Sequence, residues 1–317
     1  MTRSAQNPAK ISVIIAAHTF DRCEELTQAV ASAHGQQPPP YEVVVAVDNN
    51  PDLYEWVCKK LPDVVAVDHR GRRGAGSTRN AGVRAAYGSI LAFLDDDAIA
   101  RPHWLANLTA PLVRENVVGV GGHVEPVWLG GVPKWLPDEF LFVVGASYRG
   151  MPKTAAPIRN VWSENMAVRR ADFWKVDGFR EGFGKTGLES TACDDTDLCI
   201  RMAAATGGIW WYEPSAQIGH IVPPRRGTPR FFLQRCYTEG KGKADMIAVL
   251  GSSQKLRDER RHATHTLPLG ALRELWRAIS HLEFAAVQRA AAIAAGLGAA
   301  SLGYALRRAR HICLSRG

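Results

Sequence analysis

No two of the six cysteines, Cys23, Cys58, Cys193, Cys199, Cys236 and Cys313, stand as a C-x-x-C pair or at zinc-ligand spacing. A disulfide framework and a structural zinc site are thereby set aside, and the scatter fits a reducing compartment. The opening residues MTRSAQNPAK hold no apolar run of the signal-peptide kind, and strand-like residues begin at Ile11, so a cytoplasmic protein is expected. There is no internal repeat. The basic residues are dispersed and no base-reading motif occurs, so nucleic acid is not expected as a partner. Residues 69 to 82 contain no Gly-Lys-Ser or Gly-Lys-Thr and are no Walker loop, and GAGSTR within them lacks the third glycine of the dinucleotide fingerprint.

What is present is a chain of 317 residues with 46% apolar and 22% charged side chains, enough for a sizeable core. Its net charge of +8 suits an acidic substrate or an anionic lipid surface. Four β-branched runs, ISVIIAA, EVVVAVD, VVAVD and ILAFLDDD, alternate with stretches rich in Ala, Leu and Glu. Apolar runs without polar alternation are strands buried on both faces, the mark of a mostly parallel sheet flanked by helices. The Pro-, Gly- and Trp-rich stretch 119 to 160 reads as loops and short irregular strands around an acceptor region. A helical pattern is expected from Met166 to Met202, interrupted by the glycine-rich turn VDGFREGFGKTGLES, and a helix from Phe231 to Leu250. Residues 251 to 317 form a polar linker and a C-terminal helical tail. The expected division is a catalytic domain over 1 to 250, with halves 11 to 125 and 126 to 250, followed by the tail.

Four motifs carry chemistry. LAFLDDD runs a buried strand into Asp95, Asp96 and Asp97, where parallel sheets bind ligands. If the strand stays extended, Asp95 and Asp97 share one side and Asp96 faces the other. Three adjacent anions call for a cation, and hard oxygen donors favour Mn²⁺ or Mg²⁺; the alternative is an acidic turn capping the helix at RPHWLANL. In CDDTDLCIRM, Asp194 and Asp195 open a helix, where acids are also favoured by the helix dipole alone, and Asp197 with Arg201 makes an i,i+4 pair at the surface or behind the site. His220 follows an extended segment and could complete an Asp-based metal site or serve the core. The loop HRGRRGAGSTRNAG enters a helix with Arg72, Arg73 and Arg79, and could hold a diphosphate or simply cap that helix.

Taken in order, ISVIIAAHTFDR, Asp48, GSTRNAG, LDDD, ENMAVRR, VDGF, DDTDLCIR and EPSAQIGH resemble the family 2 glycosyltransferases over roughly residues 11 to 245. The resemblance implies a GT-A fold and an inverting, metal-dependent transfer from a nucleotide-diphosphate sugar to an acceptor hydroxyl. By the same resemblance Asp48 contacts the nucleobase, Arg79 lies near the nucleotide, and Asp95 and Asp96 approach the ribose and metal. Asp97 and His220 then bind the metal, and Asp195 is the general base, although the family's usual Glu-Asp is Asp194-Asp195 here. Ala17, His18 and Thr19 replace the usual Pro-Thr-Tyr-Asn ending of the first strand and are assigned no contact. Arg225, Arg226 and Arg230 in PPRRGTPR are expected near the donor diphosphate or in a loop that covers it, the alternative being a solvated basic loop. Trp128, Trp135, Trp162, Trp210 and Trp211 are candidates for a sugar platform or for core.

Residues 284 to 306 are apolar but mostly Ala and Gly, with Arg289 as their only charge and Arg307, Arg308 and Arg310 behind them. This is expected to be a peripheral helix, lying on the protein body or at the inner face of the cell membrane. A homodimer stays open, and the acceptor is a saccharide, a lipid-linked precursor or another hydroxyl compound. Two other readings remain. A sugar-phosphate nucleotidyltransferase would want a glycine-rich loop after the first strand, where HTFDRCEEL has no glycine. A catalytically silent binding protein of the same fold would not need both acidic motifs.

Overall fold

A computed structural model describes residues 9–181, 184–186, 189–191, 194–250 and 257–314. The first third alternates strand and helix: β1 (Ile11–Ala17), α1 (Cys23–His34), β2 (Glu42–Asp48), α2 (Pro51–Lys60), β3 (Val65–His69), α3 (Ala75–Ala85) and β4 (Ile90–Asp95). β1 lies parallel to β2 and β4, and β2 is parallel to β3. Val13 to Ile15, Val43 to Val47 and Leu91 to Leu94 are fully buried, as expected of strands covered on both faces. Asp48 and Asp95 thus arrive at the carboxyl ends of neighbouring parallel strands, the edge where open α/β sheets bind ligands.

Beyond β4 come β5 (Ala98–Ala100), α4 (Trp104–Thr109), β6 (Val117–Trp128), β7 (Ala156–Ile158), β8 (Asn165–Arg169) and α5 (Arg170–Trp174). They are followed by β9 (Gly184–Thr186), β10 (Glu189–Thr191), α6 (Asp194–Thr206) and β11 (Ile209–Val222). The main sheet runs β3-β2-β1-β4-β8-β6-β11-β5, with β7 on β11. β8 reverses the direction, pairing antiparallel with both β4 and β6.

Two expectations are corrected here. Residues 119 to 160 were expected to be loops and short strands, yet β6 is a strand of 12 residues. Its glycines signal close approach rather than a loop: a side chain at Gly122 would collide with the Ala216 carbonyl and the Asn165 amide. The helical pattern expected from Met166 begins instead as a strand, because Met166, Ala167 and Val168 are all fully buried, a run that suits a central strand and not an amphipathic helix.

The chain divides into two compact units that interleave along the sequence. The first holds Met1–His123, Thr154–Gly182 and Asp194–Gly219, the second Val124–Lys153, Phe183–Cys193 and His220–Gly317. The core of the first gathers Ile14, Val44, Phe93, Met166, Phe173, Phe179, Leu198 and Trp210. In the second, Phe140, Val222, Phe232, Leu267 and Ile293 are packed together, within a body that includes α7 (Pro229–Leu250), α8 (Arg257–Arg261), α9 (Leu267–Ser280) and α10 (Phe284–Leu314). α10 lies along α7 at backbone distance, since a side chain at Gly240 would strike the Ala300 carbonyl and one at Gly303 the Tyr237 carbonyl.

Candidate active site

The strand β4 ends at Asp95, and the chain turns through Asp96 and Asp97. The alternation expected of an extended triplet therefore does not hold, and the three carboxylates divide differently. Asp95 accepts a hydrogen bond of 2.5 Å from Arg79 Nη2. Arg79 is buried in α3, with its guanidinium 5.6 Å from the Phe179 ring centroid. Burial alone would disfavour its charge, but the carboxylates of Asp95, Asp195 and Asp194 outweigh that and raise its pKa. One buried cation thus ties the end of β4 to the start of α6, across about 100 residues of sequence, so the structure brings together Asp95, Arg79, Asp194 and Asp195.

Asp195 sits in the first turn of α6, and its Oδ1 is sequestered from solvent with no hydrogen-bond partner. Its pKa is pushed up to about 7, first by burial and then by the neighbouring Asp194 charge, against the pull of Arg79 and a hydrogen bond from Ser163. A carboxylate with that affinity for a proton and an uncommitted oxygen is a competent general base near neutral pH. Ser163 escaped the sequence reading; its only signal was its place just before ENMAVRR.

Asp96 and Asp97 are both buried, and both are met by Arg22. Its Nη1 lies 2.6 Å from Asp96 and its Nη2 3.1 Å from Asp97. Asp96 Oδ2 has no hydrogen-bond partner. Burial, more than the adjacent acids, pushes the Asp96 carboxyl up to about 7 in spite of Arg22. Arg22 was missed because it lies in HTFDR, a segment that departs from the usual motif. The capping alternative for the acidic turn fails, since α4 begins at a left-handed His103 with no side-chain cap.

Asp48 accepts from the Gly74 amide at 3.0 Å and from Asn49 Nδ2 at 2.8 Å. The amide of Gly74, the residue that caps α3, is therefore spent on Asp48, while Arg72 and Arg73 of the same loop are exposed. A carboxylate has about four lone-pair directions, so Asp48 keeps acceptor capacity for a ligand.

The remaining motif residues hold this cluster in place. Asn80 donates to the Phe179 carbonyl at 2.7 Å and accepts from its amide at 3.0 Å, which closes the VDGF turn, where Gly178 has φ +68°. Arg201 donates to the carbonyls of Val176 at 2.6 Å and Gly178 at 2.8 Å and to Asp197 at 2.7 Å. Asp197 is fully buried, so this pair is an internal strut, not a surface pair. Asn165 satisfies Trp104 Nε1 and the carbonyls of His123 and Ala216. Of the tryptophans, Trp210 is core and donates to the Cys199 carbonyl at 2.8 Å, while Trp211 carries Arg114 3.8 Å from its ring centroid.

His220 belongs to the second unit and is buried at the end of β11. Arg226 Nη1 lies 3.2 Å from its Nε2. A guanidinium can only donate, so Nε2 accepts and Nδ1 carries the proton, which it gives to the Gly145 carbonyl at 3.1 Å. A backbone carbonyl on one ring nitrogen and a lone pair on the other is the arrangement of a metal-ligating histidine. Among the described residues no group of three His, Cys, Asp or Glu side chains forms a ready-made metal site. The donor chemistry nevertheless fits a hard cation: Asp96 and Asp97 already grip a positive group, and Asp96 Oδ2, 4.0 Å from His18 Nδ1, accepts no hydrogen bond.

The sequence profile described as Glycosyl transferase family 2 matches residues 12–177, about half of the chain. The glucosyl-dolichyl phosphate glucuronosyltransferase of Haloferax volcanii is 29% identical over 241 residues, which cover 75% of this chain and 77% of that protein. Among solved structures, the mannosyltransferase PcManGT from Pyrobaculum calidifontis, in complex with GDP-Man and Mn²⁺, aligns with a TM-score of 0.59 and 18% identity over 94% of this chain and 88% of its own. GalNAc-T7 with UDP, GalNAc and Mn²⁺ aligns with a TM-score of 0.54 and 16% identity over 81% of this chain and 55% of its own. At these identities the two structures establish the fold, which is GT-A.

Proposed function

Because the chain belongs to glycosyl transferase family 2, we propose that this glycosyltransferase moves a sugar from a nucleotide-diphosphate donor to an acceptor hydroxyl, with inversion, using Asp195 as general base. The observation that carries the reading is the buried Arg79, bonded to Asp95 and held in the field of Asp195. It couples a candidate donor-binding acid to a candidate base in one charge cluster. Asp195 takes the proton of the acceptor hydroxyl as that oxygen attacks the anomeric carbon, a step in which base assistance typically supplies about 10²- to 10⁴-fold. Arg79 fixes Asp95 through their hydrogen bond, Asp48 presents its remaining lone pairs to the nucleobase, and Asp95 and Asp96 face the ribose side of the donor. Asp97 and His220 would hold Mn²⁺ or Mg²⁺, which when bound supplies Lewis-acid stabilisation of the departing diphosphate. Arg226 and its neighbours Arg225 and Arg230 are suited to the same diphosphate by their charge.

The relative from Haloferax volcanii is named for a sugar linked to dolichyl phosphate, and that supports a lipid-linked acceptor. The test is a thermal-shift series with uridine, guanosine and thymidine diphosphates and their sugars, with and without Mn²⁺, since a ligand specific for the folded state raises its melting temperature. Stabilisation by one nucleotide family, dependent on Mn²⁺ and weakened in Asp97→Ala, is the expected result. No shift with any donor, together with no transfer to any acceptor, would leave a silent protein of the same fold.

A further inference from the structure

α9 is mounted with its polarity reversed. Its exposed stripe carries Leu269, Leu272, Trp276 and Ile279, and continues through Leu282 and Phe284 into α10. Trp276 is 63% exposed, Ile279 79%, Leu282 89% and Phe284 74%. The face turned to the body of the second unit carries Leu267, Gly270 and a fully buried Glu274. Glu274 is gripped by Arg289 at 2.7 Å and Arg273 at 2.8 Å, and Arg273 also reaches Glu139 at 3.0 Å. A helix of a water-soluble domain ordinarily buries its apolar stripe and exposes its charges. Here ion pairs fasten the polar face, and the apolar ridge is left outward.

We propose that this ridge of α9, with Leu282 and Phe284, is the surface by which the enzyme docks on an anionic lipid membrane. Charge selects that occupant. Residues 257 to 317 hold ten arginines against four acids, so six of the chain's eight excess positive charges lie in this segment. Three of those acids, Glu259, Glu274 and Glu283, are already paired with Lys243, Arg273 and Arg289, while Arg260 and Arg261 are exposed, as is Arg277, which also lies 3.6 Å from Glu283. A convex ridge of Leu, Ile, Trp and Phe with cationic surroundings is the form of a helix lying in the interface plane. A second copy would bring two surfaces of the same sign face to face, because a twofold contact pairs a patch with itself.

The location differs from the one read from sequence, which was α10. By length and composition α10 could cross a bilayer. One of its faces, however, is committed to α7 through Gly240 and Gly303, and Arg307 is 2.6 Å from Asp245.

The test is flotation of the full chain with vesicles of phosphatidylcholine alone or containing about 30 mol% phosphatidylglycerol, without donor or acceptor, so that its outcome is independent of the reaction. The wild type is expected to float with the anionic vesicles, less in high salt, and Trp276→Asp with Ile279→Asp to lower the bound fraction at least about tenfold at an unchanged melting temperature. Trp276→Ser with Ile279→Ser repeats the measurement if the acidic variant melts early. A wild type that stays in solution with both vesicles overturns the proposal, as does a double variant that floats undiminished. So does a wild-type dimer by light scattering that the substitutions convert to a monomer without any lipid binding.

Discussion

Replacing Asp195 by Asn removes one oxygen's charge and almost no volume, and it should make the free protein more stable while it stops the reaction. The Asp195 carboxyl moves from its ordinary 3.8 to about 7 on folding, chiefly because it is buried beside Asp194. A group whose folded pKa lies above its unfolded one stabilises the fold only while protonated, so stability is lost as pH rises from about 4 through 7. The difference of 7 − 3.8, at about 1.36 kcal/mol per unit, sets an upper bound of ~4 kcal/mol at pH 8. At pH 5 the same linkage gives ~2 kcal/mol, because the folded state is still protonated there. Asp194 shares the charge, so the gain falls short of these bounds. With roughly 1.5 °C per kcal/mol for a chain of this size, Asp195→Asn should melt several degrees above the wild type at pH 8 and by about half as much at pH 5. Melting curves at the two pH values measure this directly. In the same variant kcat should fall by about 10²-fold or more with nucleotide affinity retained, and the wild-type kcat/KM should rise with pH through about 7 as the base ionises. A variant that melts no higher at pH 8 than the wild type would refute the buried-charge account, and one that keeps wild-type turnover would refute the base.

Arg22→Met leaves Asp96 and Asp97 without their guanidinium and should lower the melting temperature in EDTA by the equivalent of ~3–5 kcal/mol, less whatever protonation of Asp96 relieves. Added Mn²⁺ should restore more of that loss than it adds to the wild type, and a variant insensitive to Mn²⁺ would speak against cation binding at these carboxylates. Gly240→Val drives a side chain into the Ala300 carbonyl, so ~3 kcal/mol or more of overpacking is expected, read as early melting and as proteolytic cleavage within α10. An unaffected variant would mean that α10 does not lie on α7.

The parallel half of the sheet was legible because its strands are apolar without alternation, and that pattern needs no knowledge of neighbours. Asp95, Arg79 and Asp195 were legible as candidates, since a carboxylate at a strand end and another at a helix start are local features. What joins them was not: the resemblance puts Arg79 near the nucleotide, but its burial and its bond to Asp95 come from the fold, which leaves Arg72 and Arg73 a few residues away exposed. β6 was misread for the same reason. Gly119, Gly121 and Gly122 look like loop residues until Trp210, Val161 and Ala216 arrive from distant segments to fill the space. Arg22 and Arg226 carry this furthest. Each meets a proposed metal ligand, Arg22 the Asp96–Asp97 pair and Arg226 the Nε2 of His220, yet in sequence Arg22 carries no assignment and Arg226 is expected only near the donor diphosphate or in a solvated loop. A buried anion without a cation, or a buried lone pair without a donor, is costly, and these two arginines meet both needs.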